Sequence, residues 1–170
     1  MRPLILAAAL FASASSLTAA AINATYLGLV PGLGSNVERI ISDSTTGSQN
    51  WTTLGAGLLA YQQTGGDYTG TLQPGPAGYF LSFCIEPQES AASAIFDVVG
   101  LPSSATNLGG IGATRAAQVN RLLSTFAPDF SAPMTTVQAA AIQVAIWEIV
   151  RENSGNLNVT AGTTQFRNAS

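Results

Sequence analysis

The sequence predicts an α+β domain, an antiparallel β-sandwich or small barrel followed by a small α-helical lobe. Three observations carry this. Short runs with strand-like alternation, separated by turn residues, fill residues 24–86. After Gly112 the hydrophobic period lengthens from two to 3.6. Strands come first and helices second, the order expected of α+β rather than α/β chains.

The elements follow in order. "MRPLILAAALFASASSLTAAA" reads as a signal peptide, with a charge at Arg2, an apolar run from Leu4 to Phe11, and small residues from Thr18 to Ala21 placing cleavage after Ala20 or Ala21. Residues 22–166 form the expected domain, with a β-rich lobe over 22–101 and a helical lobe over 112–154; residues 167–170 are a tail. The expected strands are "ATYLGLV", "NVERIIS", "WTTLGAGLLAYQQ", "YTGTLQ", "GYFLSFCIE" and "SAIFDVVGL". Between them "PGLGSN", "DSTTGSQN", "TGGD" and "PGPAG" are turn chemistry, and "PSSATNLGGIG" is a loop. "ATRAAQVNRLLSTF" places Val119, Leu122, Leu123 and Phe126 on one side of an amphipathic helix. "TTVQAAAIQVAIWEIVREN" is a second helix, opened by a capping box of Thr135 and Gln138 and ending near Gly155, beyond which the tail is polar.

Composition narrows the function. No later stretch reaches about 18 uninterrupted apolar residues, so the mature chain is expected to be exported, extracellular or at the cell surface, with no transmembrane segment. The roughly 150 residues left after cleavage suffice to bury a core without disulfides. Arg39, Arg115, Arg121, Arg151 and Arg167 are scattered and outnumbered by carboxylates, which argues against a nucleic-acid partner. There is no histidine, so Ser-His-Asp triads, Cys-His dyads and the common zinc sites cannot be built, and neither a metal nor a cofactor is expected. Lysine is absent too, as a GC-rich codon bias would also produce.

Two residues stand out against this background. Cys84 is the only cysteine, and alternation along "GYFLSFCIE" puts it with Phe80, Ser82 and Glu86 on the less apolar face of its strand. It reads equally as a small buried hydrophobe or as half of an intermolecular disulfide. Gln143 falls at the centre of a helix face made of Ala139, Ala140, Ile146, Trp147 and Val150, opposite a face carrying Gln138, Glu148 and Glu152. A buried primary amide without partners costs about 1–3 kcal/mol, so it must be bonded, for instance to loop carbonyls, or transformed. Attack of the Cys84 thiolate on the Gln143 amide carbon, with loss of ammonia, would transform it into a thioester, a stored electrophile toward amines.

At these two segments the chain resembles the thioester domains of bacterial surface adhesins. Phe83, Cys84 and Ile85 match that family's aromatic-Cys-aliphatic pattern, and Ile142, Gln143, Ile146 and Trp147 in "IQVAIW" match its aliphatic-Gln-x-x-aliphatic-Trp helix. The resemblance spans roughly residues 22 to 166 and is best after Tyr79. It implies a non-enzymatic covalent adhesion module: a Cys84–Gln143 thioester, buried where the two lobes meet, reacts once with a lysine amine of a host, matrix or neighbouring-cell protein. It implies that Phe83, Ile142, Ile146 and Trp147 shield the bond from water, with Phe126 a further candidate better read as core. The absence of lysine fits by removing internal competitors. With no LPxTG-type sorting signal and no C-terminal apolar anchor, the chain is expected to be truncated at Ser170 or freely secreted.

Two other classes compete. One is a non-covalent structural or adhesive β-rich surface domain in which Cys84 and Gln143 are core residues. The other is an enzyme recycling Cys84 as nucleophile, which needs a carboxylate base such as Glu86 in place of histidine.

Overall fold

A computed structural model describes residues 20–41, 51–72, 79–87, 90–104, 109–130, 133–152, 157–161 and 164–169. Of the expected signal peptide (1–21), residues 1–19 fall outside the described residues, as do the turns "DSTTGSQN" and "PGPAG"; Ala20 and Ala21, where cleavage is expected, are described and open the first strand. The architecture is α+β: an antiparallel sheet followed by two helices, with one last strand returning to the sheet.

Strand β1 (Ala20–Ile41) is the spine. It pairs along its length with β2 (Thr52–Gly66). On its other edge it takes β4 (Ala94–Val98) against residues 20–24 and β5 (Thr164–Asn168) against residues 37–41. The short β3 (Phe80–Ser82) pairs with β2 through Leu59, Ala60 and Tyr61. The described strands form this one sheet, whereas the strand pattern suggests a sandwich or closed barrel.

"PGLGSN" does not end a strand. Pairing steps from Leu29↔Leu59 to Gly34↔Gly57, so the extra residues of β1 are absorbed as a bulge and one strand stands where two are expected. Gly57 makes this possible. Its φ is +156°, and a Cβ there would lie 2.2 Å from the Leu33 carbonyl oxygen and 2.5 Å from Gly34 Cα, so only glycine lets the bulge close over β2. "YTGTLQ" forms no strand in its described part; the chain bends there, with the Asp67 and Tyr68 amides both donating to the Ala21 carbonyl.

Helix α1 (Gly112–Phe126) and helix α2 (Thr136–Arg151) lie close to their expected bounds, and the capping box forms in full: the Gln138 amide donates to Thr135 Oγ1 at 3.2 Å, and the Thr135 amide to Gln138 Oε1 at 2.9 Å. A turn of 3-10 helix (Leu101–Ser103) interrupts the loop before α1.

Alternation on β2 and β3 divides the core. Leu58, Ala60 and Leu81 face the helices with Val119, Ile142, Ile146 and Val150. Leu59, Tyr61 and Phe80 face the other way with Ile22 and Phe96, and Tyr68, Leu72 and Ala91 pack over them. A third cluster, Val37, Ala56, Ala140, Trp147 and Phe166, joins α2 to β1 and β5. In α1 the buried residues are Ala116 and Val119; Phe126, expected in the core, sits at the helix end and is 66% exposed.

Candidate functional site

Cys84 follows β3 by two residues, just before a bend at Ile85, and is only partly buried, at the meeting of the second and third clusters. The strand is shorter than "GYFLSFCIE" suggests, and both of its faces are covered: Leu81, Phe83 and Ile85 on one side and Phe80, Ser82 and Glu86 on the other are buried. Gln143 sits mid-way along α2 with 1% of its surface exposed, and the expected face of Ala139, Ala140, Ile146, Trp147 and Val150 is buried around it.

These two residues meet. The Cys84 amide N–H donates to Gln143 Oε1 at 2.8 Å, and Gln143 Nε2 donates to the Cys84 carbonyl oxygen at 2.7 Å. The carboxamide lies along the Cys84 backbone as a neighbouring strand would, and both its oxygen and its nitrogen are bonded. The thiol donates to the Glu86 carbonyl oxygen at 3.2 Å. The arrangement provides a nucleophile, a carbonyl carbon, and a backbone N–H already directed at the oxygen that would carry charge after attack.

A second pair runs beside the first. Arg151 Nε donates to Glu86 Oε1 at 2.9 Å and its Nη2 to the same oxygen at 2.5 Å, with both side chains largely buried. Glu86 is two residues beyond Cys84, past a bend at Ile85, and Arg151 is two turns beyond Gln143, about 12 Å along the helix. The long arginine side chain reaches the Glu86 carboxylate and ties the end of α2 to the segment after Cys84. Held this way, Glu86 is an anchor between the segment after β3 and α2, a poor candidate for a mobile proton carrier. Arg151 is the residue that sequence reading missed. Its signal was its position, two turns after Gln143 as Glu86 is two residues after Cys84.

A cavity of about 440 Å³ is lined by Cys84 together with Tyr26, Leu29, Leu54, Pro87 and Trp147, among others. Burial, and secondarily the proximity of Cys84, raises the Tyr26 phenol above its ordinary value; the same causes, with Tyr26 itself added, push up Tyr61, whose ring packs at a tilt against that of Tyr26. Of the four expected shielding residues, Trp147 reaches this cavity and stacks on Phe166 at 5.8 Å. Phe83, Ile142 and Ile146 are buried in the first core cluster, with Phe83 set edge-on to Phe130, so the structure brings together Cys84, Gln143 and Trp147 and places the other three behind them.

The opposite face of α2 departs from expectation. Gln138 is exposed, but Glu148 and Glu152 are 3% and 4% exposed. The helix is covered all round in its last turns: Arg115 of α1 donates to the Glu152 carbonyl at 3.0 Å, and the backbone of Asn158 approaches Glu148. Neither Glu148 carboxylate oxygen makes a hydrogen bond of ordinary geometry. Burial therefore raises this carboxyl, the Asn158 backbone lowers it in part, and Glu152 raises it.

Among the described residues no group of three or more Cys, Asp or Glu side chains could hold a metal ion, and no helix is long and apolar enough to cross a membrane. Compared with protein-family models, curated proteins and solved structures, the chain matches none.

Proposed function

We propose that this chain is an exported covalent adhesion module, in which a β-rich lobe and a helical lobe hold a Cys84–Gln143 thioester at their junction and the bond reacts once with an amine on a target surface. One observation carries the reading: the Gln143 carboxamide, buried on an otherwise apolar helix face, is bonded at both ends to the backbone of the only cysteine. The "FCI" and "IQVAIW" segments support it from the sequence side.

The chemistry balances without an oxidant or cofactor. Cys84 Sγ, once deprotonated, adds to Gln143 Cδ, and the carbonyl π pair moves to Oε1 beside the Cys84 N–H. The C–N bond then breaks, Nε2 takes up the thiol proton and leaves as ammonia, and the oxygen's electron pair re-forms the carbonyl. In capture, a primary amine adds to the same carbon, Sγ departs and takes a proton from the attacking nitrogen, and the product is a secondary amide on Gln143 and a Cys84 thiol. Nothing regenerates the electrophile, so the module acts once. A lysine side chain of a host, matrix or neighbouring-cell protein is the amine class this chemistry suits.

The test is covalent labelling. Purified protein incubated with a biotinylated primary amine should gain one label that survives denaturation and maps to the peptide holding Gln143, and Cys84→Ala should gain none. Labelling of Cys84→Ala to the wild-type level would sink the proposal. A second reading has an observation in its favour: both ends of the Gln143 amide are already bonded, so it can serve as a neutral clip between the segment after β3 and α2 in a non-covalent surface domain. An unlabelled wild-type chain whose stability drops on Gln143→Ala would favour it.

A further inference from the structure

Trp147 is 3% exposed, and its indole Nε1 is buried with no hydrogen-bond partner. An unpaired buried donor costs about 1–3 kcal/mol, which an aromatic hydrocarbon of similar size would avoid. Its surroundings limit what the N–H can meet. The ring lines the cavity at Cys84 and belongs to the cluster on which Cys84 packs. Trp147 follows Gln143 by one turn of α2, and helix side chains lean toward the N-terminus, so the indole lies over the turn that carries Gln143. Stacking on Phe166, with the planes 19° apart, fixes the ring's orientation.

Resting on the thioester reading, we infer that Trp147 Nε1–H is a hydrogen-bond donor for the oxyanion of the acyl-transfer steps, acting beside the Cys84 amide N–H. In the resting amide, Oε1 takes the Cys84 N–H at 2.8 Å. When a nucleophile adds to Cδ, the π pair moves onto that oxygen, whose negative charge then attracts a second donor. When Sγ or nitrogen leaves, the pair returns to the carbonyl and the indole N–H is released. A donor engaged mainly while the charge exists stabilises the transition state over the ground state. Trp147 is therefore more than a water shield, and the two roles predict opposite effects on hydrolysis. A shield slows hydrolysis, so losing it speeds the reaction. An oxyanion donor speeds both hydrolysis and amine capture, so losing it slows both.

The experiment replaces Trp147, in a Trp51→Phe background, by β-(3-benzothienyl)alanine, which keeps the bicyclic shape and puts sulfur in place of the N–H; Trp147→Phe serves as a second variant. Intact mass, followed over time, gives the rate of methylamine capture and, without amine, the rate of hydrolysis. The expected result is that both rates fall together by about 100-fold in the sulfur isostere. An isostere that folds normally but stays at full mass, while the parent has lost ammonia, supports the inference too, because bond formation passes through the same oxyanion. Unchanged capture, or unchanged or faster hydrolysis, overturns it. A parent chain with no mass deficit removes the thioester reading itself, and this inference with it, and is recognised before any variant is compared.

Discussion

Two polar side chains lie five residues apart on α2, each at most 3% exposed, and the fold treats them oppositely. Gln143 is neutral and bonded at both ends by the Cys84 backbone, whereas Glu148 is ionisable and makes no hydrogen bond of ordinary geometry. The first arrangement lets one side chain register a helix against the segment after β3 at little cost. The second makes its carboxyl harder to ionise, because burial penalises the charge and Glu152 adds to the penalty. Glu86 lies between these extremes, a buried carboxylate compensated by Arg151. Polar burial thus organises the junction only where a partner comes with it.

The largest effect should come from turning Glu86 into a second Glu148. Arg151→Ala strands a buried carboxylate and is expected to cost about 3–5 kcal/mol in urea unfolding. A loss below about 1 kcal/mol would mean that the pair does not anchor the segment after β3. Next, Gln143→Ala leaves the Cys84 N–H without the carbonyl oxygen that accepts from it in amide and thioester alike and opens a small cavity, for an expected loss of about 3 kcal/mol. Cys84→Ala keeps both backbone bonds and should cost less, which makes it the cleaner probe of chemistry.

Glu148 tests the other side of the comparison. Its folded carboxyl holds its proton to higher pH than the ordinary value of 4.5. The folded state therefore binds the extra proton, so this contribution is fully present below 4.5 and is lost as pH rises through the raised folded value. Glu148→Leu should remove that decline and add about 1–2 kcal/mol near neutrality, visible as a flatter plot of urea midpoint against pH. The smallest effect concerns Tyr61, which keeps its proton above its ordinary 10.0 in the fold, so stability should fall as pH climbs beyond that value. Tyr61→Phe should flatten the alkaline limb with little change at neutral pH.

Much of this was legible in the sequence, for identifiable reasons. Both helices announced themselves by period and by the Thr135–Gln138 box, local signals that packing did not override. Gln143 was visible as a polar residue on an apolar stripe; the need to satisfy a buried amide left loop carbonyls open as partners, and its pairing with Cys84 came from the thioester chemistry and the resemblance. The single long β1 was not legible, because "PGLGSN" has turn composition and only pairing with Gly57 turns it into a bulge. Nor was β5: "TQFRN" is short and polar, and it is a strand because β1 leaves an edge beside residues 37–41. Burial of Glu148 and Glu152 was missed because a helical wheel treats the face opposite the core as solvent, while here the chain folds back over it.

The central claim is that Cys84 and Gln143 are joined by acyl chemistry rather than by hydrogen bonds alone, and the intact mass of the mature protein tests it most directly. The account predicts a mass about 17 Da below that of the unmodified chain, rising by about 31 Da with methylamine, with neither feature in Cys84→Ala. A wild-type chain at full mass, with a titratable thiol and no adduct, would contradict it.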